Sequence, residues 1–387
     1  MALYDLTEFL KVSSVLNYNL SATSLNRFNL LRYIMEDQQL HPDEAENREQ
    51  KSISMETLNY LFKAYRQKRR RLGPMAILHP LRTSVLFCRA FEHISLNDLL
   101  SLLLHDVQED IRAADYEPGY WSQMESQLQK IYDRMNPEMV PHLLRRLDGL
   151  TKSDEESYFQ YIDRLLTTAI DDPRLVQVKL ADRLDNTLDM RIDIHDPLDE
   201  VNFFETIFQV LFQYNYKGHL PKGSHPPASF LNGSKRLYQL FKNTVLLSLI
   251  RKNRVMMDKA PSETLFNALA EASLKESQRI LIHLIDFHYT DVRRQRRLLM
   301  ETLEYCYSGK SSMVTRPDSR HQLDGLFYNY FGLIDKDLRD RQIDHLYQNK
   351  PLMIQASVAF IVIFLSFLDN PQFYVRGISS RGVTPEL

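Results

Sequence analysis

Residues 96–111 read LNDLLSLLLHDVQEDI, and this stretch decides the fold. It follows Ser95, a residue suited to cap a helix, and its apolar positions are nearly continuous. The spacing predicts one deeply buried helix from Leu96 through Ile111. His105 and Asp106 stand inside it. A carboxylate beside an imidazole in such surroundings is costly unless it is paired or coordinating. Glu109 and Asp110 follow four residues after each, which in a helix places His105 over Glu109 and Asp106 over Asp110. Taken alone, HDVQED also reads as the solvated end of a helix.

The neighbouring patterns narrow the choice. Lys179-Leu-Ala-Asp182-Arg183-Leu-Asp185-Asn186 lies in another apolar helical pattern, with Asp182 and Asn186 on one face. His79 precedes the His-Asp pair by about one helix-turn-helix. Three adjacent antiparallel helices would bring His79, His105, Asp106 and Asp182 onto one metal. Imidazole with carboxylate suits Mn²⁺, Fe²⁺ or Zn²⁺ better than Ca²⁺ or Mg²⁺; one divalent ion is expected, Mn²⁺ first. Lys68 to Arg71 form a basic run, and Arg70 and Arg71 are the candidates to clamp an anion, because guanidinium pairs bidentately with oxyanions. Asn186, one turn beyond a candidate ligand on the same face, is a candidate to hydrogen-bond a substrate. Lys179 is a candidate substrate contact, and Lys179 and Arg183 read equally as ion-pair partners of Asp182.

Helical spacing extends over most of the chain, which holds only 11 glycines. The expectation is an all-α protein. Residues 1–55 read as an N-terminal helical extension ending in a polar loop, HPDEAENREQKS. Residues 56–196 read as the metal-binding helical bundle, with helices from about Met55 to Arg70, from Ala76, from Ser153 to Ile170, and from Asp172 onward. Two shorter helices are expected between Glu117-Pro118-Gly119 and Gly149. Residues 197–387 read as a C-terminal helical region, with a loop from His219 to Arg236 and a charge-free run, LMIQASVAFIVIFLSFL, from Leu352 to Leu368. That run falls short of the about 20 apolar residues of a membrane span; a buried helix is the expected form, with an oligomer contact and a membrane anchor as the other readings.

Of 387 residues, 44% are hydrophobic and 25% charged, and the formal net charge is -2. Nothing global attracts nucleic acid or an anionic membrane, so any anion site must be local. Two cysteines, Cys88 and Cys306, imply no disulfide framework. The N-terminus does not read as a secretory signal. A cytoplasmic protein with a small-molecule partner, no nucleic-acid partner and an open oligomeric state is expected.

The order His79, His105-Asp106, Asp182 resembles the HD superfamily of metal-dependent phosphohydrolases. Over roughly residues 58–191 the chain is similar to one branch, the RelA/SpoT-type hydrolases, which remove the 3′-pyrophosphate from the alarmones (p)ppGpp of the stringent response. Arg70-Arg71-Leu72-Gly73 ahead of Leu78-His79-Pro80 is similar to the branch's Arg-Lys-x-Gly before x-His-Pro. His105 to Asp110 match its HDxxED, and Thr151-Lys152 its Thr-Lys. Asp172, Arg174 and Lys179 to Asn186 match its D-x-R-x-x-x-K-L-A-D-R-L-x-N. The resemblance implies an HD-domain helical bundle in which Glu109 and Asp110 orient or deprotonate the attacking water and Arg70 steadies the phosphate. It covers no synthetase half.

The chain departs from the branch at three positions. Leu72 stands where a small hydroxyl residue is usual, Asp185 where a His commonly precedes the Asn, and Asp189 where a Thr near the nucleoside is common. A carboxylate at 189 would repel phosphate or change which base or sugar is accepted. The alternatives are therefore a phosphohydrolase of another nucleotide, such as an adenine alarmone or the 2′-phosphate of NADPH, and a non-catalytic alarmone sensor.

Overall fold

The computed structural model describes residues 5–20, 26–36, 38–66, 68–69, 75–189, 198, 204, 207, 233–253, 260–308, 321–369, 378–379 and 382–383. Among these the chain is all-α, as expected. The extended pairings are a two-residue antiparallel ladder, Ile378–Ser379 with Gly382–Val383, and a single bridge between Arg69 and Met75. Contacts divide the chain into two compact units. One comprises residues 1–156, 164–189 and 254–272, the other residues 157–163, 190–253 and 273–387.

The first unit is built around α4, Leu78–Cys88, every residue of which is buried. Against it pack α1 (Leu6–Leu20), α2 (Asn26–Met35), α5 (Leu96–Leu104) and α10 (Arg174–Leu188). α3 (Glu44–Ala64) lies on α5 and on α7 (Pro118–Arg134), and α8 (Met139–Leu150) packs on α5 and α10. Ser95 caps α5 as expected: its hydroxyl accepts from Asp98 N at 3.2 Å while the Asp98 carboxylate accepts from Ser95 N at 3.0 Å. The buried Arg146 on α8 then donates to Asp98 at 2.8 Å and to Asp172, just before α10, at 2.7 Å. One guanidinium thus fixes the starts of two helices that carry candidate ligands. At Gly149, an added Cβ would lie 3.1 Å from the Leu175 side chain, so the glycine is what lets α8 approach α10.

α3 differs from expectation at both ends. α3 begins at Glu44, inside the polar stretch read as a loop, with Asp43 capping Glu46 N at 2.9 Å. The polar residues there are used internally: buried Asn47 accepts from Leu40 N at 2.9 Å. α3 also ends at Ala64, not Arg70. The second difference lies in the deciding stretch itself. α5 stops at Leu104, and a separate turn of helix, α6, spans Val107–Asp110.

The helix α9, Tyr158–Thr168, contains residues of both units, as does α12, Ala260–His288. In the second unit, α15 (Lys350–Asp369) is touched by α11 (Gly233–Asn253), α13 (Val292–Ser308) and α14 (Lys336–Gln348). Leu352, Met353, Ile354, Val358, Phe360 and Ile361 are buried there, so the charge-free run is built into the core of this unit over residues 352–362. No helix among the described residues is long and apolar enough to cross a membrane. Of the loop expected from His219 to Arg236, residues 219–232 lie outside the described residues, and residues 233–236 open α11.

Candidate metal centre

The break between α5 and α6 builds the site. Successive residues of a continuous helix point about 100° apart, so His105 and Asp106 would face different neighbours. Here the backbone turns at Asp106 (φ -97°, ψ -1°), and its carbonyl accepts from Asp110 N at 2.8 Å to restart the helix. Both side chains then reach His79, which α4 holds in its first turn. His79 Nε2 lies 3.1 Å from His105 Nε2, 3.1 Å from Asp106 Oδ2 and 3.2 Å from Asp182 Oδ1. His105 Nε2 is 3.3 Å from Asp106 Oδ1 and 3.9 Å from Asp182 Oδ1. The four expected ligands therefore converge, with His79, His105 and Asp182 buried. Ligand atoms of those three lie within 4.8 Å of one another, a spacing that can hold a metal ion.

Proton positions on the rings support a cation. His105 Nδ1 is 2.8 Å from the carbonyl of Leu102, which can only accept. His79 Nδ1 is 2.6 Å from Asp185 Oδ2, a carboxylate. Each ring accordingly carries a proton on Nδ1, and a neutral ring then turns a lone pair toward the cluster at Nε2. Two neutral rings would face each other lone pair to lone pair at 3.1 Å, with two carboxylates beside them, so the cluster calls for a cation at its centre, a proton or a metal ion. The residues thus fit a divalent metal, and the far-side bonds are those that orient ligating histidines.

The carboxylates are tuned to be anionic. Burial would raise Asp106, yet His105 and His79, when protonated, hold it down to about 2. Burial likewise opposes ionisation of Asp182, and Lys179, His79 and His105 hold it well below the usual range. Lys179 Nζ sits 2.7 Å from Asp182 Oδ2, and Asn186 Nδ2 donates to Asp182 Oδ1 at 2.6 Å. Lys179 thus makes the ion pair with Asp182 that its spacing suggested, and Asn186, expected to meet the substrate, bears on the same candidate ligand. Glu109 and Asp110 are solvent-exposed on α6 instead of stacked along the ligand helix. Glu109 accepts from Lys152 N at 2.7 Å, and Asp110 from the Tyr65 hydroxyl at 3.3 Å. Partial desolvation raises both carboxyls, with Asp106 adding to the effect. Arg70 and Arg71 lie outside the described residues. Lys68, from the same basic run, pairs with Asp115 at 2.8 Å.

Three residues of the cluster escaped notice as its supports: Arg82, Asp185 and Asp189. Arg82 Nε donates to Asp185 Oδ1 at 2.6 Å, and its Nη2 lies 3.0 Å from Asp185 Oδ2 and 2.9 Å from Asp189 Oδ2. The available signal was an arginine in LHPLRTSVLFC, one turn after His79, because a buried arginine requires carboxylates. The Asp189 carboxylate, expected to repel phosphate, is bonded to this guanidinium. Comparison with known protein families, with curated proteins and with solved structures finds no match.

Proposed function

We propose that this chain is a metal-dependent phosphohydrolase that removes the 3′-pyrophosphate from (p)ppGpp-type alarmones. The observation that carries the reading is the meeting of His79 Nε2, His105 Nε2, Asp106 and Asp182 from α4, the α5–α6 break and α10. A divalent cation bound there supplies the Lewis acidity that makes water an adequate nucleophile near neutral pH. The substrate class rests on the flanking motifs, above all Glu109-Asp110 and the basic pair Arg70 and Arg71.

The chain's own groups supply the rest. Glu109, near the ligands on α6 and raised by desolvation, takes the proton of the attacking water as general base. Lys152 N–H holds the Glu109 carboxylate in place. Asp110, tied to Tyr65, orients the same water. Arg70 and Arg71 balance charge developing on the attacked phosphate. Water attacks phosphorus, the bond to the 3′-oxygen breaks, and the 3′-oxygen takes up the proton held by Glu109, which leaves pyrophosphate and a nucleoside diphosphate or triphosphate with a free 3′-hydroxyl.

The test is pyrophosphate release from ppGpp by purified protein with Mn²⁺, beside an Asp106→Ala control. Release that disappears in the control is expected. A metal-loaded protein that leaves ppGpp intact but hydrolyses an adenine alarmone or NADPH would replace the substrate and keep the chemistry.

A further inference from the structure

We propose that Arg82, Asp185 and Asp189 act as one buried positioning relay, which locks the proton of His79 on Nδ1 and keeps Nε2 open as a ligand. The inference rests on the metal-centre reading and assigns a role to three residues that hold no ligand position. Arg82 and Asp185 are 1% and 0% exposed. The guanidinium grips both oxygens of Asp185, at 2.6 and 3.0 Å, a fork that fixes the carboxylate plane. That plane aims Oδ2 at His79 Nδ1, 2.6 Å away. Asp189 takes Nη2 of the same arginine at 2.9 Å, and the Phe9 ring of α1 stands 4.7 Å from the guanidinium. Each member therefore restrains the next, from α1 through Arg82 and Asp185 to His79.

A purely structural ion pair would account for Arg82 and one carboxylate. It would not account for the placing of that carboxylate on a ligand histidine. The relay also joins two departures from the RelA/SpoT-type pattern. Asp185 and Asp189 are four residues apart on one face of α10, and both meet Arg82. Read this way they support His79 and do not face the substrate.

The decisive variant is Asp185→Asn. Its amide still accepts from Arg82 through Oδ1 but presents an N–H to His79 Nδ1. The proton must then move to Nε2, which closes the ligand. Mn²⁺ and Zn²⁺ affinity, measured by titration calorimetry, should fall about 10–100-fold, the range found for such outer partners. Nitrogen NMR of the metal-free protein should show His79 as the Nδ1–H tautomer in the parent and the Nε2–H tautomer in Asp185→Asn. Asp189→Asn leaves Asp185 in place and should lose less affinity, severalfold. If Asp185→Asn does not fold, Asp189→Asn and Arg82→Lys carry the test. Unchanged affinity together with an unchanged His79 tautomer in the folded variants overturns the relay. A parent protein that binds no metal overturns the proposed function instead, and the tautomer measurement still decides the relay.

Discussion

With Asp106 or Asp182 truncated, the two imidazole lone pairs keep one carboxylate between them, too few donors for a tight divalent site. Asp106→Ala and Asp182→Ala are expected to abolish Mn²⁺ binding and hydrolysis together, as read by metal analysis and by pyrophosphate release. Glu109→Ala should differ in kind. It removes no ligand, so metal content stays at the parent level while the rate falls by about 10²–10⁴, the range of a positioned general base. Full rate in Glu109→Ala would refute its role. The sign of its pH dependence follows from the raised carboxyl. The proton-accepting form is lost as pH falls through a pKa above the ordinary 4.5, so kcat/KM should have an acid limb that Glu109→Ala lacks. At this scale the sequence brought the right four residues together, since buried His and Asp at helical spacing call for partners, and His79, His105, Asp106 and Asp182 do converge. It did not name Arg82 as their support, because a contact between α4 and α10 depends on packing that one chain's periodicity does not report.

Helices place these residues, and two short features control the placement. Ser95 and Asp98 start α5, and Ser95→Ala should cost about 1 kcal/mol, the usual value for losing an N-cap, measurable as a lower denaturation midpoint. Gly149 sets the distance from α8 to α10. Gly149→Val forces a branched side chain against Leu175, and overpacking of this kind costs about 1–3 kcal/mol. Because α10 carries Asp182, metal affinity should fall along with stability; a loss of stability alone would place the contact outside the site's control. The cap at Ser95 was legible, as was the buried character of α5. The break at His105-Asp106 was not. HDVQED has ordinary helical residues on both sides, and the turn is rewarded only by the partners His79 and Asp182, which are distant in sequence. The start of α3 was obscured for a related reason: Asn47 and Gln50 look like loop residues, yet the fold buries both.

For the molecule as a whole, two consequences can be measured. A ligand that binds only the native state raises stability by RT ln(1 + [L]/Kd), about 2.7 kcal/mol at a hundredfold excess over Kd. Mn²⁺ should therefore raise the thermal midpoint of the parent protein, a chelator should reverse the gain, and Asp182→Ala should show neither effect. In the second unit, α15 is apolar because it is enclosed, as Val358 at 0% exposure shows. Val358→Asp buries an unpaired charge and should cost more than ~4 kcal/mol; a near-parent midpoint would mean that this face of α15 is open. Length and composition made a buried helix the expected form of α15, with an oligomer contact and an anchor as the other readings, since all three demand similar residues. The most direct test of the central claim is the metal stoichiometry of the Mn²⁺-loaded, desalted protein, by elemental analysis beside Asp182→Ala. The account predicts one ion per parent chain and none in the variant. A parent chain that retains no metal would contradict it.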